Sequence, residues 1–226
     1  MLEYILLDFH WTQLLQPQFY INNGGLWLLL FIIFAETGLF VGFFFPGDSL
    51  LFVAGIFSNQ LAASLYDTQN DFLNLVLVAV LAIIAGILGN TVGYFTGSKI
   101  GPAMYNWKDR WLFKKKYLHQ AHDFYEKHGV IAVVFARFLP FIRTFAPIVA
   151  GIVKMDKAKF SFFNVVGCIA WVVSMLFAGH YLNKFFNTQF GFDLEKHLEL
   201  IVLGIVIVTT APVIVKLFFT KKKKVE

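Results

Sequence analysis

Four ionisable side chains, Glu36, Asp48, Arg137 and Arg143, interrupt sequence that is otherwise apolar over membrane-spanning lengths. Arginine at depth is an anion binder: its planar fork matches two oxygens of a phosphate, and it stays charged when buried. A carboxylic acid in the same surroundings is a proton carrier, because burial and a neighbouring arginine pull its proton affinity in opposite directions. One charge at the centre of a bilayer helix costs about 2.5–3.5 kcal/mol, so four unpaired charges would cost roughly 10–14 kcal/mol. That rivals the whole stability of a domain, about 5–15 kcal/mol. The four residues therefore need partners, water or a ligand. The chemistry they suit is transport, with Arg137 and Arg143 binding an anionic substrate and Glu36 and Asp48 handling protons. The plainer alternative is two internal ion pairs that pin the fold.

Each charge lies close to a helix breaker. Pro46 and Gly47 precede Asp48, and Pro140 and Pro147 bracket Arg143. Arg137 and Arg143 are six residues apart, about 240° around an ideal helix, so an unbroken helix would point them to different sides. A break at Pro140 lets both turn toward one cavity. Glu36 and Asp48 would lie roughly 18 Å apart along a continuous helix. A reversal at Pro46-Gly47 instead puts Asp48 at a hairpin tip. Breaking a helix at depth serves stability poorly, which favours a functional site.

The elements that must position these residues follow from composition. The chain has 226 residues, 58% hydrophobic and 15% charged, including 28 Phe. Soluble domains carry about 25% charged residues, so this is an integral membrane protein. The apolar stretches are 26–57, 72–97, 130–153, 162–182 and 200–219. The second, fourth and fifth suit simple transmembrane helices. Residues 26–57 as one helix would run about 48 Å against a hydrocarbon core of about 30 Å. Together with Pro46-Gly47 this predicts a re-entrant hairpin, and the two prolines predict a second one over 130–153.

Charge sidedness gives the same layout. Residues 99–128, residues 154–159 and the Lys221–Lys224 run are basic and belong on the cytoplasmic side. The 58–71 connection, with Asp67 and Asp71, and the acidic 183–199 connection belong outside. Both 26–57 and 130–153 must then enter and return. PGDSLLFVAG and APIVAG each precede an apolar helix bearing Asn and Gly. The fold expected is an all-α membrane protein, an inverted repeat of two facing re-entrant hairpins, with about three full transmembrane helices and interfacial amphipathic helices. Residues 1–25 would form an interfacial helix, 26–182 the transport domain, and 183–226 a last transmembrane helix with a basic cytoplasmic tail. The acidic N-terminal segment lacks the features of a cleaved secretory signal.

Other features read more plainly. Gly89, Gly93, Gly97 and Gly101 recur every fourth residue and suit close helix packing. His119, His122, Asp123, Glu126 and His128 belong to a solvated face of a surface helix over 108–128 rather than a metal site. His180 is expected at an interface. Cys168 stands alone, which excludes an internal disulfide. No nucleotide, hydrolase or zinc motif occurs, so neither an enzyme nor a cofactor is expected. The positive charge is placed as a topology signal and gives no reason to expect nucleic acid.

Taken together, E-T-G at 36–38, F-P-G-D-S at 45–49, G-N-T-V-G-Y at 89–94 and F-A-R-F-L-P-F-I-R-T at 135–144 resemble the DedA family, also called SNARE-associated or VTT-domain proteins. The resemblance covers roughly 20–182. It implies paired re-entrant hairpins and functions linked to the proton motive force. For some members it implies flipping of undecaprenyl phosphate, and related eukaryotic proteins scramble phospholipids. The family's acidic pair maps to Glu36 and Asp48 and its basic pair to Arg137 and Arg143. The expectation is a bacterial inner-membrane undecaprenyl phosphate translocase, multi-pass, with a cytoplasmic C-terminus and protons as partners. A homo-oligomer is compatible with this layout. A proton-coupled small-cation or drug antiporter, a phospholipid scramblase and a non-transporting scaffold are the alternatives.

Overall fold

The computed structural model describes residues 17–39, 47–105 and 140–191 and the single positions 194 and 204, with side chains over 25–39, 47–101 and 143–191. The expectations for residues 1–16, the 108–128 surface helix, the 200–219 helix, Pro46 and Arg137 lie outside the described residues. Among the described residues every element is helical. They are α1 (Pro17–Gly38), α2 (Gly47–Ile56), α3 (Ser58–Ala63), α4 (Asp71–Tyr105), α5 (Pro140–Ile152) and α6 (Lys157–Phe190).

Two of these, α4 and α6, are long and apolar enough to cross a membrane. Each is about 50 Å long, longer than the apolar stretches 72–97 and 162–182, because helix continues into polar ends. Asp156 starts α6 by accepting from the Lys159 amide at 2.9 Å, and Gly191, at φ 61°, ends it in the left-handed conformation that suits glycine. Asp156→Ala should therefore lower stability by about 1 kcal/mol while Asp156→Asn stays near wild type, measured by thermal unfolding in detergent. An Asp156→Ala variant as stable as wild type would mean that the cap contributes nothing.

Both long helices leave apolar side chains exposed along one side. Val80, Ile84, Leu88 and Phe95 of α4 and Phe162, Val166 and Ile169 of α6 are examples. Their other sides close on a core that includes Leu29, Ile33, Leu51, Val78, Trp171 and Leu176. A helix apolar all round suits a bilayer.

Helix direction follows from which residues meet. Ile33 and Phe34 of α1 lie against Gly86 and Gly89 of α4, and Gly38 lies beside Gly89 and Gly93, so α1 and α4 run parallel. Asp48 meets Trp171, and Ser58, just beyond α2, meets His180, so α2 runs parallel to α6. Asp71 meets Lys184 while Thr91 meets Asn164, so α4 and α6 are antiparallel. The chain therefore reverses between α1 and α2. Also, α1 is broken at Gly25, where φ 54° and ψ −141° leave the helical region, so its buried arm is the short stretch 25–38.

One contact is made twice. In α2, Gly55 abuts the Leu176 carbonyl of α6, and Gly179 of α6 abuts the Phe52 carbonyl. In α5, Gly151 abuts the Tyr94 carbonyl of α4, and Gly97 of α4 abuts the Ile148 carbonyl. Phe52-Val53-Ala54-Gly55 and Ile148-Val149-Ala150-Gly151 thus use the same positions against Leu176/Gly179 and Tyr94/Gly97. Each short helix packs on the long helix that follows the other one. A Cβ at any of the four glycines would run into backbone, which is why close approach requires glycine here.

A polar network joins α3, α4 and α6 at one end. His180 bridges Ser58 Oγ and Asp71 Oδ2, both at 3.2 Å, and Asp71 also accepts from Lys184 at 3.1 Å and Asn59 at 2.8 Å. In the adjoining turn the Gln69 amide and the Asn74 side chain hold the Asp67 carboxyl below its ordinary range. His180 lies near the end of α6 and is buried beneath the α3 segment.

Candidate functional site

Three of the four charged residues meet at one place. Glu36 ends α1, Asp48 opens α2, and Arg143 lies in the first turn of α5. Arg143 donates from Nη2 to Glu36 Oε1 and from Nη1 to Asp48 Oδ1. All three are buried, at 3%, 9% and 8% exposure respectively. Thr37, beside Glu36, packs on Gly89 near the middle of α4, and Asp48 reaches Trp171 near the middle of α6. The cluster therefore sits at mid-height of both membrane-length helices.

Local sequence explains the placement. Gly47 faces the Glu36 carboxylate so closely that a Cβ would overlap it, so this glycine supplies space. Pro140 is the first residue of α5, where its fixed φ suits a helix start and its missing N–H is not needed. Pro147 was expected to interrupt its stretch, but α5 continues through it, and its ring packs toward Gly93. What Pro147 does remove is the N–H that helix geometry would offer to the Arg143 carbonyl.

Two helix N-termini, those of α2 and α5, converge on the cluster. Each end carries partial positive charge, an environment made for anions. Asp48 is well placed there, and Arg143 is held against the local dipole by two carboxylates. Fully ionised, the described trio carries one negative charge, two carboxylates against one guanidinium. Glu36 Oε2 and Arg143 Nε have no hydrogen-bond partner among the described residues. Buried groups of this kind are satisfied in most proteins, and exceptions cluster where a ligand or water enters.

Trp171 is the residue that sequence reasoning missed. Its Nε1 donates to Asp48 Oδ1 at 2.7 Å, and its ring lies under the Arg143 guanidinium, 4.6 Å from Cζ to the ring centroid. In the sequence it is one aromatic in an apolar run, indistinguishable from a lipid-facing side chain. A polar layer lies beside the cluster: Asn90 bonds the Gly86 carbonyl at 2.8 Å, and Asn164 bonds the Ile87 carbonyl at 3.2 Å and Thr91 at 3.4 Å. The Asn164 bonds tie α4 to α6. No group of three or more metal-ligating side chains occurs among the described residues.

Comparison with known proteins matches residues 45–181 to the VTT domain. Protein DedA of Escherichia coli K12 is 34% identical over 98% of this chain and 94% of its own. Uncharacterized membrane protein ML0287 of Mycobacterium leprae is 35% identical over 89% of this chain and 86% of its own. Inner membrane protein YqjA of E. coli K12 is 33% identical over 71% of this chain and 69% of its own. No solved structure matches.

Proposed function

Since the chain belongs to the DedA family of VTT-domain bacterial membrane proteins, we propose that it is an inner-membrane transporter of a lipid phosphate, undecaprenyl phosphate, coupled to protons. The observation that carries this reading is the convergence of two helix N-termini and the Arg143 guanidinium on one buried spot. Those are the parts of a phosphate site. In the resting arrangement the protein's own carboxylates occupy it.

That occupancy supplies the coupling. Both Nη groups of Arg143 are engaged, one by each carboxylate. A phosphate takes the fork only if a carboxylate leaves, and a carboxylate leaves most readily once protonated. Proton and phosphate therefore bind together, and an inward proton gradient carries the phosphate toward the cytoplasm. Arg137 is proposed as the second cation of the clasp. In this reading α1–α2 is a re-entrant hairpin that reaches mid-depth, α5 is the returning arm of a second, and the duplicated glycine contacts mark an inverted repeat. Such repeats meeting at the midplane suit alternating access. The basic segments would then face the cytoplasm, with the C-terminus.

The net negative charge of the described trio favours one competing reading, an antiporter whose carboxylates bind a small cation. Proteoliposomes separate the two. Wild type should translocate undecaprenyl phosphate faster with an acidic outer compartment, and Arg137→Ala/Arg143→Ala should not translocate it. Cation-dependent proton flux without lipid phosphate, unaffected by the arginine changes, would replace the proposal with the antiporter.

A further inference from the structure

We propose that Trp171 is a positioning residue of this site, one that fixes the plane of the Arg143 guanidinium and keeps a donor on Asp48 when the arginine changes partner. The proposal rests on the lipid-phosphate reading above and adds a residue from α6 to it.

A guanidinium offers two surfaces. Its face stacks on aromatic rings, and its edge donates hydrogen bonds. Arg143 uses its face on Trp171, 4.6 Å from the ring centroid, and its edge on Glu36 and Asp48. Trp171 therefore holds the arginine without competing for the N–H groups that an oxyanion needs. With 1% exposure, the ring is clamped by the core and cannot swing away.

The indole N–H makes the second contact. It is a donor only, so it cannot take a proton from Asp48 and can only stabilise the carboxylate. Asp48 Oδ1 accepts from Trp171 at 2.7 Å and also from Arg143. When a phosphate draws Arg143 away, Asp48 is left with the indole rather than bare. The ionisable surroundings are few. Asp48 faces Arg143 from α5 and, across it, Glu36 from α1. The part of α4 at this height has no ionisable side chain, and α6 adds only Cys168, which accepts from Asn90 at 3.6 Å.

Two substitutions divide the roles. Trp171→Phe keeps a ring under the guanidinium and loses the donor, and Trp171→Leu loses both. In proteoliposomes, Trp171→Leu should raise the half-saturating undecaprenyl phosphate concentration about tenfold or more. Trp171→Phe should change that concentration little and alter the pH dependence of transport, since Asp48 then loses its indole donor. A merely structural role would lower the amount of folded transporter and leave both readouts where they were, and that result would overturn the proposal.

Fluorescence tests the contact apart from the cargo. In a protein keeping Trp171 alone, with Trp11, Trp27, Trp107 and Trp111 changed to Phe, emission should respond to acidification. Adding Asp48→Asn should abolish the response. If wild type moves no lipid phosphate but this signal is present, the cargo assignment fails and the placement of Trp171 stands. A pH-independent signal with intact transport would remove Trp171 from the site and leave the cargo assignment in place.

Discussion

Arg143→Ala is expected to abolish lipid-phosphate transport and to lower stability by about 3–5 kcal/mol, the range for removing one partner from a buried ion pair. The size follows from the geometry. Arg143 is the partner of two buried carboxylates, and alanine leaves both without it. Thermal unfolding in detergent should therefore show a large drop. Neutralising the acids as well, in Arg143→Ala/Glu36→Gln/Asp48→Asn, should recover most of the stability, because no bare charge remains. Transport should not return. Recovery of folding without recovery of function separates anion binding from pinning of the hairpin. Transport by the single variant would remove the arginine from the clasp, whatever its stability.

The next largest effect is expected at the duplicated glycines. Gly55, Gly97, Gly151 and Gly179 each abut a backbone carbonyl of the neighbouring helix, so a side chain must push whole helices apart. Valine at any of them should cost at least the roughly 1–3 kcal/mol typical of overpacking. The equivalence of the two crossings makes this sharper. Gly179→Val should match Gly97→Val, and Gly55→Val should match Gly151→Val, in folded yield and unfolding temperature. Gly93→Ala is the contrast, since its nearest obstacle is the Pro147 ring at 3.4 Å. It should be mild. A harmless Gly179→Val beside a damaging Gly97→Val would show that the two crossings are not equivalent.

Much of this arrangement was legible because charge in an apolar run is costly and therefore informative. Glu36, Asp48 and Arg143 stand out in the sequence, and the structure brings them together. The four-residue glycine spacing of α4 likewise marks a close-packed face: Gly89 meets α1, and Gly97 and Gly101 meet α5. Pro147 misled, because a proline within a helix forgoes one bond and need not end it. Trp171 carried no signal, since its role depends on a hydrogen bond across 123 residues of sequence. The membrane-length helices were found, but their ends were not, because capping by Asp156 and Gly191 lies outside the apolar pattern.

The pairing of each short helix with the long helix of the other half also orders events during synthesis. Asp48 and Arg143 are 95 residues apart and Glu36 and Arg143 are 107. At ordinary elongation rates roughly 5–20 s pass between the making of the acids and the making of their arginine. The later helix that carries Trp171 is completed later still. During that interval the first half has no native partner for either carboxylate. The nascent chain must therefore hold two acids at a bilayer or insertase surface until its own second half arrives. The interlocked design that completes the finished site makes the half-made protein its most vulnerable form.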